Sequence, residues 1–185
     1  RLPEMSGEQW RKAVAELCEA GVTSLAFTGG EALLRPDLLD IVEAASQCSA
    51  EHIDTVDGRL VRRIARPDLY LLSNGRLVDD RVLRFCSSHG VRLSMSLPGL
   101  ETFEEHTGFE GADMVLEKFA RARELGVSTT VNITVTRINL YELERTMAAA
   151  LLSGADQVLL NRFLPGGRGL ANARRLALDH DQIRE

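Results

Sequence analysis

Four times along this chain an amphipathic helix pattern ends at a glycine and gives way to a short apolar strand pattern. The glycines are Gly21, Gly90, Gly126 and Gly154, and valine follows the first three. Glycine readily takes the left-handed backbone that ends a helix, so each is a stop signal before a strand. Ser6-Gly7-Glu8-Gln9 reads as a capping box ahead of Trp10, Val14, Leu17 and Cys18 at helical spacing. Pro36 suits the first turn of a second helix, with Leu38, Leu39, Ile41, Val42 and Ala45 on its apolar side. Asp79 caps a third helix that turns Val82, Leu83, Phe85 and Cys86 inward, and Met114, Val115, Phe119, Ala122 and Leu125 mark a fourth. Asn139, with Glu142 three residues on, opens a fifth along Leu143, Met147 and Leu151. Strands fall at 23–28, 69–73, 91–96, 127–136 and 157–161. Strands alternating with helices imply a parallel sheet with right-handed crossovers. The expected fold is therefore α/β, a partial, open (β/α) barrel of about five parallel strands with flanking helices.

Two stretches break the rhythm. Residues 46–68 are more polar, and Asp57-Gly58 is a turn signal between two short apolar segments. A hairpin fits there, and so does a helix through Leu60 to Ile64. Arg59, Arg62, Arg63 and Arg66 cluster in the same stretch and read as a solvated face. From Leu176 the tail reads as the beginning of another helix.

Composition narrows the function classes. The net charge of −5 argues against a nucleic-acid or anionic-membrane surface. No apolar run is long enough for a transmembrane span, and the first residues carry no signal-peptide pattern. Cys18, Cys48 and Cys86 are too widely spaced for a disulfide framework or a metal cluster, and a reducing cytoplasm suits them. His52, His89, His106 and His180 stand isolated, and no nucleophile–base pairing is legible. Gly166 to Gly169 suit a phosphate cradle or a plain flexible turn.

In a parallel sheet built this way the carboxyl ends of the strands share one rim, where α/β proteins bind ligands. Those ends read Thr28-Gly29-Gly30-Glu31, Ser73-Asn74-Gly75, Ser94 and Ser96, Thr134 and Thr136, and Asn161-Arg162. Each strand is apolar in its middle and polar at its exit, which favours a polar ligand there. Gly29 and Gly30 let backbone approach a ligand closely, and Glu31 offers a carboxylate for an ammonium group. A plain β-turn with a solvated glutamate fits the same residues.

The segment Gly29-Gly30-Glu31-Ala32-Leu33-Leu34-Arg35-Pro36-Asp37 resembles the GGEP-type segment of the radical S-adenosylmethionine (SAM) family, with Ala32 in place of the usual proline. The resemblance runs from Met5 to about Gly169. Leu72-Ser73-Asn74-Gly75 is similar to the family's TNG-type strand end. Ser96-Leu97-Pro98-Gly99 stands where the family has S-[LI]-D-G, with Pro98 for the acid. Thr107 stands where many members carry an arginine that clamps the SAM carboxylate. Residues 131–136, followed by Asn139, and residues 160–169 resemble segments of members that modify peptides.

What this resemblance implies is a SAM site in which Gly29, Gly30 and Glu31 hold the methionine amino group. Ser73, Asn74 and Ser96 would be further SAM contacts, and Thr134, Arg162 and Leu164 outer ones. It also implies a [4Fe-4S] cluster in the full-length protein, an electron donor, hydrogen abstraction from a substrate such as a peptide, and no nucleic-acid or membrane partner. The family's three cluster cysteines, CxxxCxxC, would precede Arg1, and no catalytic or metal-binding residue is expected within the chain. Residues 1–185 are thus expected to be an incomplete core domain, lacking the cluster-binding loop and the C-terminal region. The rival expectations are a module of the same fold that binds a ligand without catalysis, and an ordinary β/α enzyme using Gly166 to Gly169 for a phosphate.

Overall fold

The computed structural model describes residues 4–183, with the backbone alone at Arg168. Arg1–Pro3 and Arg184–Glu185, the ends of the expected domain, lie outside the described residues. The main sheet has the strand order β1 (Ser24–Phe27), β4 (Asp68–Ser73), β5 (Val91–Ser96), β6 (Thr129–Val135), β7 (Gln157–Arg162), and β2 (Ala50–Val56) and β3 (Arg59–Ala65) form a separate pair. The expected α/β class, five parallel strands with flanking helices, is what the chain adopts. Its contacts divide it into two compact units, residues 1–73 with 77–93, and residues 74–76 with 94–185.

In the first unit, α1 (Gly7–Glu19) opens with the expected reciprocal capping box between Ser6 and Gln9. It packs on α2 (Leu38–Gln47), burying Val14 and Cys18. Trp10 and Leu17 of the same apolar stripe stay exposed, because the buried face is narrower than the stripe. Strand β1 (Ser24–Phe27) lies parallel to β4 (Asp68–Ser73), in register from Ser24↔Asp68 to Phe27↔Leu71. The apolar run at 23–28 suits a buried strand, yet β1 alternates exposed and half-buried residues, since among the described residues it pairs on one side only. Pro36 is not in the first turn of α2. A 3₁₀ turn over Ala32–Leu34 intervenes, and Pro36 stands just before the N-cap, Asp37.

Residues 46–68 resolve as a hairpin, β2 (Ala50–Val56) against β3 (Arg59–Ala65), paired without a bulge along its length. Asp57 and Gly58 both have positive φ, 49° and 72°, as a two-residue type I′ turn requires. Asp79 caps α3 (Asp80–His89), its Oδ1 accepting from the Val82 N–H at 2.9 Å. The helix buries Val82, Leu83 and Cys86 and ends on left-handed Gly90. Strand β5 (Val91–Ser96) begins in this unit and ends in the other.

In the second unit, a short α4 (Phe103–Thr107) precedes α5 (Ala112–Glu124), which buries Val115, Phe119 and Ala122 as its spacing predicts. Full burial of each large apolar side chain of that face contributes about 1.5–3 kcal/mol. Strand β6 (Thr129–Val135) runs parallel to β7 (Gln157–Arg162), from Thr130↔Gln157 to Val135↔Arg162. Helix α6 (Leu143–Ser153) departs from expectation. Thr146 and Ala150 face inward, Leu143 and Met147 are half-buried, and Leu151 is exposed. The face is rotated because a 3₁₀ turn over Leu140–Glu142 leads in and delivers the Glu142 side chain to the core. Helix α7 (Ala173–Leu176) ends at Leu176, where a helix was expected to begin. The reciprocal bonds of a capping box instead join Asp179 and Gln182, each 3.0 Å, at the start of a turn.

Candidate functional site

In the first unit the Gly-Gly-Glu turn leaves the carboxyl end of β1. Glu31 has extended backbone and caps the 3₁₀ turn, its Oε1 accepting from the Leu33 N–H at 3.2 Å. The same oxygen accepts from Ser73 Oγ at 3.0 Å. Ser73 is buried at the carboxyl end of the neighbouring strand, β4. Two strand exits that sequence reasoning assigned to one rim are therefore joined through Glu31. A Cβ at Gly29 or Gly30 would meet nothing within 4 Å, so both peptides border open space. A cleft of about 450 Å³ has Gly29, Gly30 and Glu31 on its wall, with Trp10, Val14 and Leu17 among its apolar lining. That volume falls in the usual range for small-molecule sites.

The turn is tied down by Arg35 and Asp37. Arg35 Nε lies 2.6 Å from Asp37 Oδ1, Nη2 donates to Oδ2 at 3.0 Å, and Nη2 also reaches the Met5 carbonyl at 3.1 Å. The hydrogen bond from Arg35 holds the Asp37 carboxyl below its ordinary range, and the Arg35 pKa rises in return. Asp37 also abuts the start of α1, where a side chain at Gly7 would run into its carboxylate. The turn is thus fastened to the segment before α1.

In the second unit Asn74 Oδ1 accepts from the Arg76 N–H at 2.9 Å, closing a turn through left-handed Gly75. A Cβ at Gly75 would press on Val115 Cγ2 at 3.3 Å, so the turn needs glycine on both counts. Ser96, Thr134 and Arg162 are exposed at or next to the carboxyl ends of β5, β6 and β7. The ladder sets Thr134 opposite Asn161 and Val135 opposite Arg162. Leu164 is exposed beyond β7.

Two residues matter more than sequence reasoning gave them. Asn139 and Glu142 read as a helix cap and its partner, but neither serves as one. Asn139 Oδ1 accepts from the Thr136 N–H at 2.8 Å, and its Nδ2 donates to the Thr134 carbonyl at 2.9 Å and to the Pro98 carbonyl. Glu142 is fully buried. Its Oε2 accepts from the N–H groups of Leu100 (3.0 Å) and Glu101 (2.8 Å). Its Oε1 accepts from the N–H (3.0 Å) and hydroxyl (2.6 Å) of Thr102. Burial alone would raise the Glu142 pKa, but the hydrogen bonds from Glu101, Thr102 and Leu100 outweigh it and hold the group below its ordinary value. The two side chains together clamp residues 98–102, directly after Ser96. The signal that could have found Glu142 is an acid interrupting the inward stripe of a helix. Thr107 donates its hydroxyl to the carbonyls of Phe103 (2.8 Å) and Phe109 (2.9 Å).

No three His, Cys, Asp or Glu side chains among the described residues are grouped to hold a metal ion. Cys18 and Cys86 are buried. Burial, with Cys48 nearby, pushes the Cys18 thiol up to about 11, and burial pushes Cys86 up to about 12. An iron–sulfur cluster needs several closely grouped cysteines, and the described residues hold no such group. No helix among the described residues is long and apolar enough to cross a membrane.

Comparison with known proteins places the chain among relatives. A PqqA peptide cyclase of Granulibacter bethesdensis is 27% identical over 184 residues, covering 97% of this chain and 45% of its own length. A probable GTP 3′,8-cyclase of Saccharolobus islandicus is 28% identical over 169 residues, covering 89% of this chain and 48% of its own. The chain spans less than half the length of these curated relatives. The crystal structure of Streptococcus suis SuiB bound to S-adenosylmethionine superposes with a TM-score of 0.72 at 14% identity, over 89% of this chain and 35% of that one, a likeness of fold. The sequence profile of the radical SAM superfamily matches residues 1–150, most of the chain. The chain belongs to the radical SAM superfamily.

Proposed function

We propose that this chain is the SAM-binding core of a radical SAM enzyme whose substrate is a peptide. The observation that carries the reading is Glu31, held by Ser73 Oγ and the Leu33 N–H beside two glycines that border open space. Glu31 accepts the ammonium of SAM's methionine part, and Gly29 and Gly30 admit the ligand to the backbone. Ser73 orients Glu31. Asn74 and Ser96 are further SAM contacts, and Thr134, Arg162 and Leu164 outer ones. When bound, SAM supplies the adenosyl group that this family uses for hydrogen abstraction.

A [4Fe-4S] cluster would be held in the full-length protein by ligands other than the described cysteines, and a partner electron donor would feed it. The peptide reading draws on the relative named as a peptide cyclase. The three free cysteines suit the cytoplasm.

The test is equilibrium dialysis of the chain against radiolabelled SAM. Glu31→Gln is expected to weaken binding by about tenfold or more, the loss of one charge-assisted hydrogen bond. Equal binding by both proteins would refute the assignment. A second reading, ligand binding without radical chemistry, is favoured by Pro98 and by the inward-turned Thr107 hydroxyl. It predicts SAM binding by the full-length parent without 5′-deoxyadenosine formation under anaerobic reduction.

A further inference from the structure

The β2–β3 hairpin has no part in the reading above, and its surface is unusual. Every residue of β3 except Ala65 is exposed, so both of its faces meet solvent. One face carries Ile53 (57% exposed), Leu60 (76%) and Ile64 (72%) around Arg62, which pairs opposite Ile53. The other face is anchored at its base, where Ala50 and His52 are buried. Within its two-stranded sheet β3 pairs only with β2, and no bulge or proline interrupts residues 59–65. A continuous edge with no bulge or proline is a template for a further strand, and its arginines decide which strand can pair.

Charge selects the occupant. Strand β3 carries Arg59, Arg62 and Arg63 and no acid, and Arg66 follows it. The hairpin's partners for two of them lie on β2, toward the inner edge: Asp54 to Arg63 at 2.6 Å and Glu51 to Arg62 at 3.5 Å. A second copy is a poor occupant. Antiparallel pairing of two β3 strands centred on Arg62 sets arginine against arginine, and like charges directly opposite destabilise a sheet. RNA would answer the arginines but leave the exposed Leu60 and Ile64 without an apolar partner. An extended peptide alternating acidic and aliphatic residues answers both the arginines and the Leu60–Ile64 stripe.

We propose that the outer edge of β3 is the docking strand for an acidic, extended segment of the peptide substrate. This rests on the peptide reading of the proposed function. The hairpin leads directly into β4 at Asp68, and β4 ends at Ser73 beside Glu31. At about 3.3 Å per residue, β4 spans about 17 Å from the end of the hairpin to Ser73 beside Glu31. The docked segment is therefore not the residue that reacts, and at least about five extended residues must join the two.

The test is fluorescence anisotropy on the whole chain with a labelled peptide alternating glutamate with valine and isoleucine. Binding is expected. It should weaken about tenfold in Arg59→Glu and in Leu60→Asp, two exposed positions, and should be lost when lysine replaces the glutamates. Circular dichroism checks that each variant is folded. No binding by the wild type, or equal binding by both folded variants, overturns the proposal. So does a wild-type dimer in sedimentation that Leu60→Asp dissolves, which would make a second copy the occupant. Stronger binding of polyuridylate or of anionic vesicles than of the peptide also overturns it. SAM dialysis on the same samples separates the two readings: lost SAM binding with intact peptide binding sinks the SAM site alone.

Discussion

Replacing Glu142 with glutamine should destabilise the second unit by about 3 kcal/mol. The carboxylate accepts four hydrogen bonds, two on each oxygen. A glutamine keeps one oxygen and turns an NH₂ donor toward two other donors. If the oxygen stays on Thr102, the Leu100 and Glu101 N–H groups lose their acceptor. Hydrogen bonds to a charged group contribute about 1.5–3 kcal/mol each, so two give about 3–6 kcal/mol. Those two N–H groups are only part-buried and recover some water, which brings the expectation to the lower end. Against a typical total of about 5–15 kcal/mol, that is a large loss. Urea unfolding followed by far-UV circular dichroism measures it. The pH dependence adds a second check. Because the folded pKa is depressed, the stabilisation is present above the ordinary glutamate value and is lost as pH falls through the folded value. The gap between wild type and Glu142→Gln should therefore close in acid. A variant within about 0.5 kcal/mol of wild type at neutral pH, or a gap constant down to the acid limb, would refute the clamp.

Other expectations follow from the same geometry. Gly99→Ala places a methyl against Glu142 Oε1 and Thr102 Oγ1, and should cost about 1–3 kcal/mol in the same unfolding assay; no change would mean the loop is free to move away. Asp37→Asn should lower the melting temperature at neutral pH and not in acid, because the depressed carboxyl stabilises only while ionised; a pH-independent difference would count against the Arg35 pairing. Iodoacetamide with mass-spectrometric mapping should label Cys48 first and reach Cys18 and Cys86 only as the chain unfolds. Native labelling of Cys86 would contradict its burial.

The alternation of helix, glycine and strand was legible because it is local and repeated. Capping by Ser6 and Asp79 and the left-handed Gly90 are decided within a few residues, and they came out as the spacing predicts. The hairpin was ambiguous because Leu60 and Ile64 suit one face of a strand and one face of a helix equally. The Asp57-Gly58 turn, with its positive φ angles, decided between them. The exposure of β1 was not legible. An apolar run looks alike in a central and an edge strand, and the difference lies in neighbours remote in sequence. Glu142 was misread for the same reason. Asn139 and Glu142 match a capping signature, but the Glu142 carboxylate and one Asn139 bond reach about forty residues back, to 100–102 and Pro98. The shared direction of parallel strands put Glu31 and Ser73 on one rim, but the hydrogen bond between them was not foreseen.

The central claim is that Glu31 reads the amino group of SAM. The direct measurement is a titration calorimetry cycle: wild type and Glu31→Gln, each against SAM and against an analogue with the amino group replaced by hydrogen. If the carboxylate contacts the ammonium, wild type should prefer SAM by about tenfold or more, and the variant should bind the two ligands alike, a coupling of about 1.5–3 kcal/mol. Equal preference in the two proteins, with no coupling, would mean that Glu31 only shapes the turn and that the amino group is held elsewhere.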